Sequence, residues 1–209
     1  MPSAMLLLSG GIDSPVAGHL MARKGYDVEA VHFTYEPVSD DATERKCLAL
    51  CRTLGIEKLN VIPAGVVFGR ISKLCAQRFY FVLSKRAMYR MAFKVAGGRF
   101  DCLATGESLG QVSSQTLRNL ATIDSSVPLP VIRPLLWMDK VEITRIAEQI
   151  GTYGASLGPE LCDMFGPEHP DTKVRIDDVL TEERKLGPDQ LEQHVKIALR
   201  VHTLTSHHR

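Results

Sequence analysis
The residues from Ser9 to Pro15, SGGIDSP, put two hydroxyl groups, two glycines and a carboxylate into one short turn directly after the apolar run AMLLL. Glycines let a ligand approach the main chain closely, and a strand-to-helix turn leaves several backbone N–H groups without partners, so such a turn suits a small anion. Ser9 and Ser14 add hydroxyl donors, and Pro15 sits where a first helical turn tolerates a missing N–H. A phosphate or pyrophosphate fits this description. No Lys-Ser or Lys-Thr pair follows the glycines, which excludes a Walker A loop with its lysine on a γ-phosphate. An acid, Asp13, stands at the helix start instead, where a phosphate-bound Mg²⁺ or a reacting group would need one. The alternative, a glycine turn that merely closes tightly, is disfavoured by the strand and helix that flank it.

That turn needs a frame. The chain has 209 residues, enough to bury a core as one domain with at most a small appendage. Its hydrophobic share of 44% and net charge of +1 are those of an ordinary globular protein, without a global pull toward nucleic acid or membrane. No apolar run approaches the roughly 20 residues that cross a bilayer, and MPSAMLLLSGG lacks a basic segment and a cleavage site. A cytoplasmic location without membrane contact is expected. Five cysteines, Cys47, Cys51, Cys75, Cys102 and Cys162, form an odd set without dense spacing, which suits a reducing compartment and free thiols. Cys47 and Cys51 fall on one face of a predicted helix and read as core, as do Cys75 and Cys102.

Strands are predicted at 4–9, 27–33, 58–63, 101–106 and 130–135, with helices between them at 14–25, 41–55, through a long basic stretch to Gly97 and Gly98, and at 111–123, followed by one at 139–151. This order predicts an α/β fold in three layers, a parallel sheet of about five strands with helices on both faces. Ligands of such sheets sit at the carboxyl ends of the strands, where SGGIDSP falls. Beyond Gly151 come a Gly/Pro-rich loop and polar helices near 177–186 and 189–203. Residues 1–172 therefore read as the nucleotide-binding domain, and 173–209 as a helical extension whose stripe of Leu191, Val195, Ala198 and Val201 or His202 packs on the domain or on a second subunit.

The pattern S-G-G-x-D-S resembles the pyrophosphate (PP) loop of the N-type ATP pyrophosphatases, which attack the α-phosphate of ATP and release pyrophosphate. SKRAMYR (84–90), ATGESLGQVSSQTLRNL (104–120), RPLLWMDKVEI (133–143) and LCDMFGPEHP (161–170) follow in order. Together they resemble the pyrophosphatase domain of the tRNA 4-thiouridine sulfurtransferases, the ThiI family also linked to thiamine thiazole synthesis, from about Leu6 to about Thr172. The resemblance implies an adenine nucleotide alpha hydrolase-like fold and a reaction in which ATP, with Mg²⁺ carried on its phosphates, adenylates a uridine of tRNA before persulfide sulfur displaces AMP. It implies three catalytic residues: Asp13 in the loop, Lys140 offsetting charge on the α-phosphate, and Cys162 in sulfur transfer, with His169 near enough in sequence to influence its thiolate. Ser9, Gly10, Gly11 and Ser14 would hold phosphates, Asp13 would belong to the same nucleotide site, His32 and Phe33 would seat adenine, and Gly106 and Gln111 would line the same mouth.

From Arg70 to Phe100 no Asp or Glu offsets the cations, and Lys85, Arg86 and Arg90 are assigned to RNA phosphates. The alternative is that these charges pair with acids elsewhere in the fold. Some relatives use a C-x-x-C before this helix for an iron–sulfur cluster; the matching positions here are Phe81 and Ser84, so no cluster is expected. The family's ferredoxin-like, THUMP and rhodanese regions have no counterpart in the sequence, so RNA grip would come from a separate THUMP-type chain, from the rest of a longer protein, or not be needed for another substrate. The implied partners are tRNA and a cysteine desulfurase or other persulfide donor, with a homodimer left open. Other readings are a different adenylating PP-loop enzyme, such as an amidating synthetase, or a non-catalytic ATP- or AMP-binding module, which would need neither the loop acid nor a nucleophile.

Overall fold
The computed structural model describes residues 1–158, 165–187 and 190–204. In chain order the elements are β1 (Ser3–Leu7), α1 (Asp13–Arg23), β2 (Asp27–Thr34), α2 (Ala42–Leu54), β3 (Lys58–Pro63), α3 (Gly65–Leu74), α4 (Tyr80–Ala96), β4 (Cys102–Ala104), α5 (Leu117–Asp124), β5 (Val131–Ile132), α6 (Lys140–Gln149), α7 (Tyr153–Ser156), α8 (Ile176–Arg184), α9 (Gln190–Ala198) and β6 (Arg200–Thr203). The strands form one sheet in the order β5-β4-β1-β2-β3-β6, with parallel neighbours except at β6, which runs antiparallel to β3.

A strand's period of two divides its side chains between two cores. Met5 of β1 joins Val31, Phe68, Leu83 and Val179 on one face, while Ala4 and Leu6 join Val16, Leu50 and Ile143 on the other. Helices α3, α4, α8 and α9 cover the first face, and α1, α2 and α6 the second. The chain leaves β1 toward β2 and β3, then returns to place β4 on the other side of β1. The crevice between the carboxyl ends of β1 and β4 is thus the topological switch point, and SGGIDSP and Gly106 meet there.

Three expectations are corrected. The sheet has six strands rather than about five, because the helix predicted over 189–203 stops at Ala198 and the chain enters β6, pairing Val61 with Arg200 and Lys58 with Thr203. The free edge of β3 supplies hydrogen bonds that a longer helix could not reach. The helix predicted over 111–123 starts only at Leu117. Gly110 turns the chain at φ 78°, and the Thr116 hydroxyl caps α5 by accepting from the Asn119 N–H at 3.2 Å. The basic stretch is two helices, α3 and α4, with a turn between them. Leu191 and Val195 are buried against α4, so their stripe packs on the chain's own core. Among the described residues no helix is long and apolar enough to cross a membrane.

Candidate active site
The loop from Ser9 to Ile12 is held by its own hydroxyls. Ser14 Oγ accepts from the Ser9 N–H at 3.0 Å, and Ser9 Oγ accepts from the Gly11 N–H at 3.2 Å. Gly10 lies at φ 86°, in the left-handed region that favours glycine. Ile12 precedes α1 without a side-chain cap, so the first N–H groups of α1 lack side-chain partners at the positive end of the helix. Asp13 opens α1, and Lys140 opens α6, whose start is fixed by Asp139 accepting from the Glu142 N–H at 2.7 Å. Across a separation of 127 positions, Lys140 Nζ reaches Asp13 Oδ1 at 2.6 Å.

Beside this pair lies a cavity of about 440 Å³. Ser9, Asp13, Ser14, His32, Phe33, Lys85, Gly106, Gln111 and Lys140, all singled out in the sequence, line it together. Gly10 and Gly11 shape the loop beside it without forming its wall. Gly106 also has a steric role, since a Cβ there would stand 2.6 Å from the Ser14 backbone nitrogen and 2.7 Å from the Asp13 carbonyl carbon. Only glycine lets the end of β4 lie against the start of α1.

Three buried atoms of the wall, His32 Nε2, Ser84 Oγ and Gln115 Oε1, have no hydrogen-bond partner among the described residues. Buried polar groups are rarely left unpaired, so these sites call for a ligand or water. His32 Nδ1 lies 2.8 Å from the Leu8 carbonyl oxygen, which can only accept, so Nδ1 carries the hydrogen. Burial pushes the His32 pKa down, keeping the ring neutral and Nε2 a bare acceptor.

Glu107 escaped the sequence reading. It is 4% exposed and lines the cavity. Lys85 Nζ bonds it at 2.5 Å, Arg133 Nε at 2.8 Å and the Tyr89 hydroxyl at 2.7 Å, while Asp124 holds Arg133 from behind. Burial raises the carboxyl pKa, but Lys85 and Arg133 outweigh it and hold Glu107 at about 2. The only signal was an acid inside ATGES and an arginine inside RPLL, neither informative until the fold joins them. A carboxyl depressed in the folded state adds stability above its ordinary 4.5, lost as pH falls toward 2. Chemical denaturation across that window is expected to show a steeper acid loss of stability for the wild type than for Glu107→Gln; equal slopes would remove Glu107 as the cause.

The family model described as "Thiamine biosynthesis protein (ThiI)" matches residues 2–187. The chain belongs to the ThiI family. A probable tRNA sulfurtransferase of Alkaliphilus oremlandii is 39% identical over 209 residues, covering 97% of this chain and 53% of the relative. Another from Caldanaerobacter subterraneus is 43% identical over 190 residues, covering 88% and 50%. A solved 4-thiouridine synthetase–RNA complex with bound ATP superposes with a TM-score of 0.89 at 33% identity, over 98% of this chain and 55% of that one. The chain spans about half the length of the curated ThiI relatives it matches.

Within this ThiI domain one of the three cations assigned to RNA is committed to the protein's own interior. Arg86 is buried, bonding Glu183 at 2.8 Å, Ser125 Oγ at 3.0 Å and the Thr122 carbonyl, which corrects its assignment to RNA. Arg90 lies 3.6 Å from the same Glu183, and Lys85 turns into the cavity toward Glu107. Acids absent from 70–100 reach Lys85, Arg86, Arg90 and Arg99 from α8, from the loop after β4 and from Glu29 of β2, pairings invisible in a linear charge count.

Of the cysteines, Cys47, Cys51, Cys75 and Cys102 are free and buried. Burial pushes all four thiols up, Cys75 to about 11 and Cys51 to about 12, so they are protonated core residues. Cys162 lies outside the described residues. The described end of its ThiI motif does touch the site: the Phe165 ring stacks on Tyr35 at 6.0 Å, and Gly166 packs so closely on Phe81 that a Cβ would fall 2.3 Å from the ring. Phe81 and Ser84 both line the cavity. Asn119, fully buried, ties this region together by donating to the Ser113 and Asp171 carbonyls at 3.0 and 2.9 Å and accepting from the Val174 N–H at 3.1 Å.

Proposed function
We propose that this ThiI-family chain uses Mg-ATP to adenylate a uridine of tRNA, releasing pyrophosphate, and that persulfide sulfur on Cys162 then displaces AMP to give 4-thiouridine. The observation that carries this reading is the Asp13–Lys140 pair, set across the PP loop at the edge of the cavity. Uracil O4 is a poor leaving group; attack by that oxygen on the α-phosphate expels pyrophosphate and turns it into a phosphate ester that sulfur can displace. The loop N–H groups and the start of α1 would take the phosphates, with Lys140 stabilising charge as it builds on the α-phosphate. The bare acceptor of His32 suits the exocyclic amine of adenine, and Ser84 and Gln115 offer further contacts. Among the described residues no three His, Cys, Asp or Glu side chains converge as a metal cage. Mg²⁺ would be carried on the ATP phosphates, with Asp13 in the loop as a carboxylate that could meet it.

In the second step the terminal persulfide sulfur bonds to C4 of the base as AMP leaves, and a second thiol, from another chain or a small reductant, cleaves the remaining S–S bond. A cysteine desulfurase or similar donor would load Cys162. The same persulfide would serve the thiamine pathway in the family's name.

The test is to incubate the chain with α-labelled ATP, Mg²⁺ and unmodified tRNA and to follow AMP and pyrophosphate. Release that depends on tRNA supports adenylation of RNA; ATP binding without AMP under any condition points to a binding module. Cys162→Ser is expected to keep ATP binding and pyrophosphate release within about twofold while 4-thiouridine falls below detection by nucleoside mass spectrometry. Loss of ATP binding in that variant would make Cys162 structural instead.

A further inference from the structure
Trp137 is the chain's single tryptophan, and it is 78% exposed. Its backbone is nevertheless fixed. Residues 133–138 form a turn in which the Leu136 and Met138 N–H groups donate to the Arg133 and Leu135 carbonyls at 3.2 and 2.9 Å. On either side of Trp137, the Leu136 carbonyl accepts from the Leu109 N–H and the Met138 carbonyl from Ser108 Oγ, both at 2.9 Å. The backbone that carries Trp137 is thus stitched to the loop that continues into Gln111 and Val112 on the cavity wall. Three residues later in the same segment, Lys140 pairs with Asp13.

The helices that follow these two stitched segments, α5 and α6, carry exposed apolar and basic groups near their starts. Val112, Leu117 and Val141 are 54%, 62% and 79% exposed. Arg118, beside Leu117, and Arg145, one turn along α6 from Val141, are exposed and carry no ion pair among the described residues. Asp139, the nearest acid in the chain, is turned back to cap α6. An exposed aromatic face on a fixed backbone, with guanidinium groups on the helices that follow, matches a nucleobase on its phosphodiester strand, because every base offers a π-face and every linkage a negative charge.

We propose that Trp137 is a stacking platform for a base of the RNA acceptor at the mouth of the cavity, with Arg118 and Arg145 meeting the flanking phosphates. This rests on RNA as the acceptor. The platform would hold the strand while one nucleoside enters toward Asp13 and Lys140.

Because Trp137 is the only indole, its emission reads this position directly. In a titration of the full chain, unmodified tRNA is expected to quench that emission to saturation, and ATP alone to leave it unchanged. Trp137→Ala is expected to raise the tRNA concentration for half-maximal AMP release by about 5- to 100-fold, with ATP affinity and melting temperature unaltered. Trp137→Phe, which keeps a smaller ring, should lose less. Release that needs tRNA but has the same half-saturation in Trp137→Ala would overturn the proposal, as would quenching by a persulfide-donor protein and not by tRNA. If wild-type AMP release ignores tRNA, the RNA reading itself fails and this proposal goes with it.

Discussion

Asp13→Ala is expected to lower AMP and pyrophosphate formation by about 100-fold or more while the chain stays folded. The carboxylate contributes little to stability. At the start of α1 it gains about 0.3–1 kcal/mol from the helix dipole, and its pair with a half-exposed Lys140 adds at most about 1 kcal/mol. Its chemical position is different in kind. It is an anion placed where phosphates should sit, which opposes binding unless a cation comes between, so removing it should leave ATP affinity equal or tighter. The rate should fall because Lys140 loses its partner and, in the proposed reaction, Mg²⁺ would lose a carboxylate of the loop. Asp13→Asn separates these roles: an amide can still accept from Lys140 but is a poor ligand for Mg²⁺, so a rate as low as alanine's assigns the acid to the metal. Single-turnover AMP formation and nucleotide titration decide the matter, and a near-wild-type rate in Asp13→Ala would remove the loop acid from the mechanism.

What the sequence revealed follows from how local each interaction is. The strand, PP loop and helix from Met5 to Arg23 are contiguous, and their glycines, hydroxyls and proline each answer to the same turn; the structure places them as read. Lys140 has no local signature, since a lysine opening a helix is ordinary, and only its motif marked it. The buried group of Glu107, Lys85, Arg133, Tyr89 and Asp124 was illegible because its members come from different elements and meet only when β4 is set against α4. The same reason hid Arg86. Its partner Glu183 is 97 positions away on α8, so an arginine with no acid near it in sequence has one beside it in space. β6 was misread as helix because its four residues become a strand only through the edge of β3, where Arg200 also reaches Glu36 and Glu44 across the sheet. Gly106 was assigned as a nucleotide contact; its steric role against α1 needed coordinates.

That steric role makes Gly106→Ala the second large effect. The added Cβ would meet the Ser14 nitrogen at 2.6 Å and the Asp13 carbonyl carbon and Ser14 Cα at 2.7 Å, all backbone atoms that cannot rotate away. Either the end of β4 or the start of α1 must move by several tenths of an ångström. Overpacking of this kind costs about 1–3 kcal/mol, which for a chain of this size lowers the melting temperature by about 2–12 °C. Activity should suffer more than stability. The displaced segment carries Asp13 and the loop N–H groups, and misplacing reacting groups by about 1 Å can cost about 100-fold in rate. Gly110→Ala is the comparison: its backbone is left-handed at φ 78°, yet nothing lies within 4 Å of the new Cβ, and it sits on the lip rather than against α1. Strain alone at Gly110 should lower the melting temperature while AMP formation falls less than tenfold. If Gly106→Ala and Gly110→Ala lose activity in proportion to their stability, close approach to α1 has no special part in catalysis. A hundredfold loss confined to Gly106→Ala would show that the nucleotide site depends on bare backbone against bare backbone at the switch point.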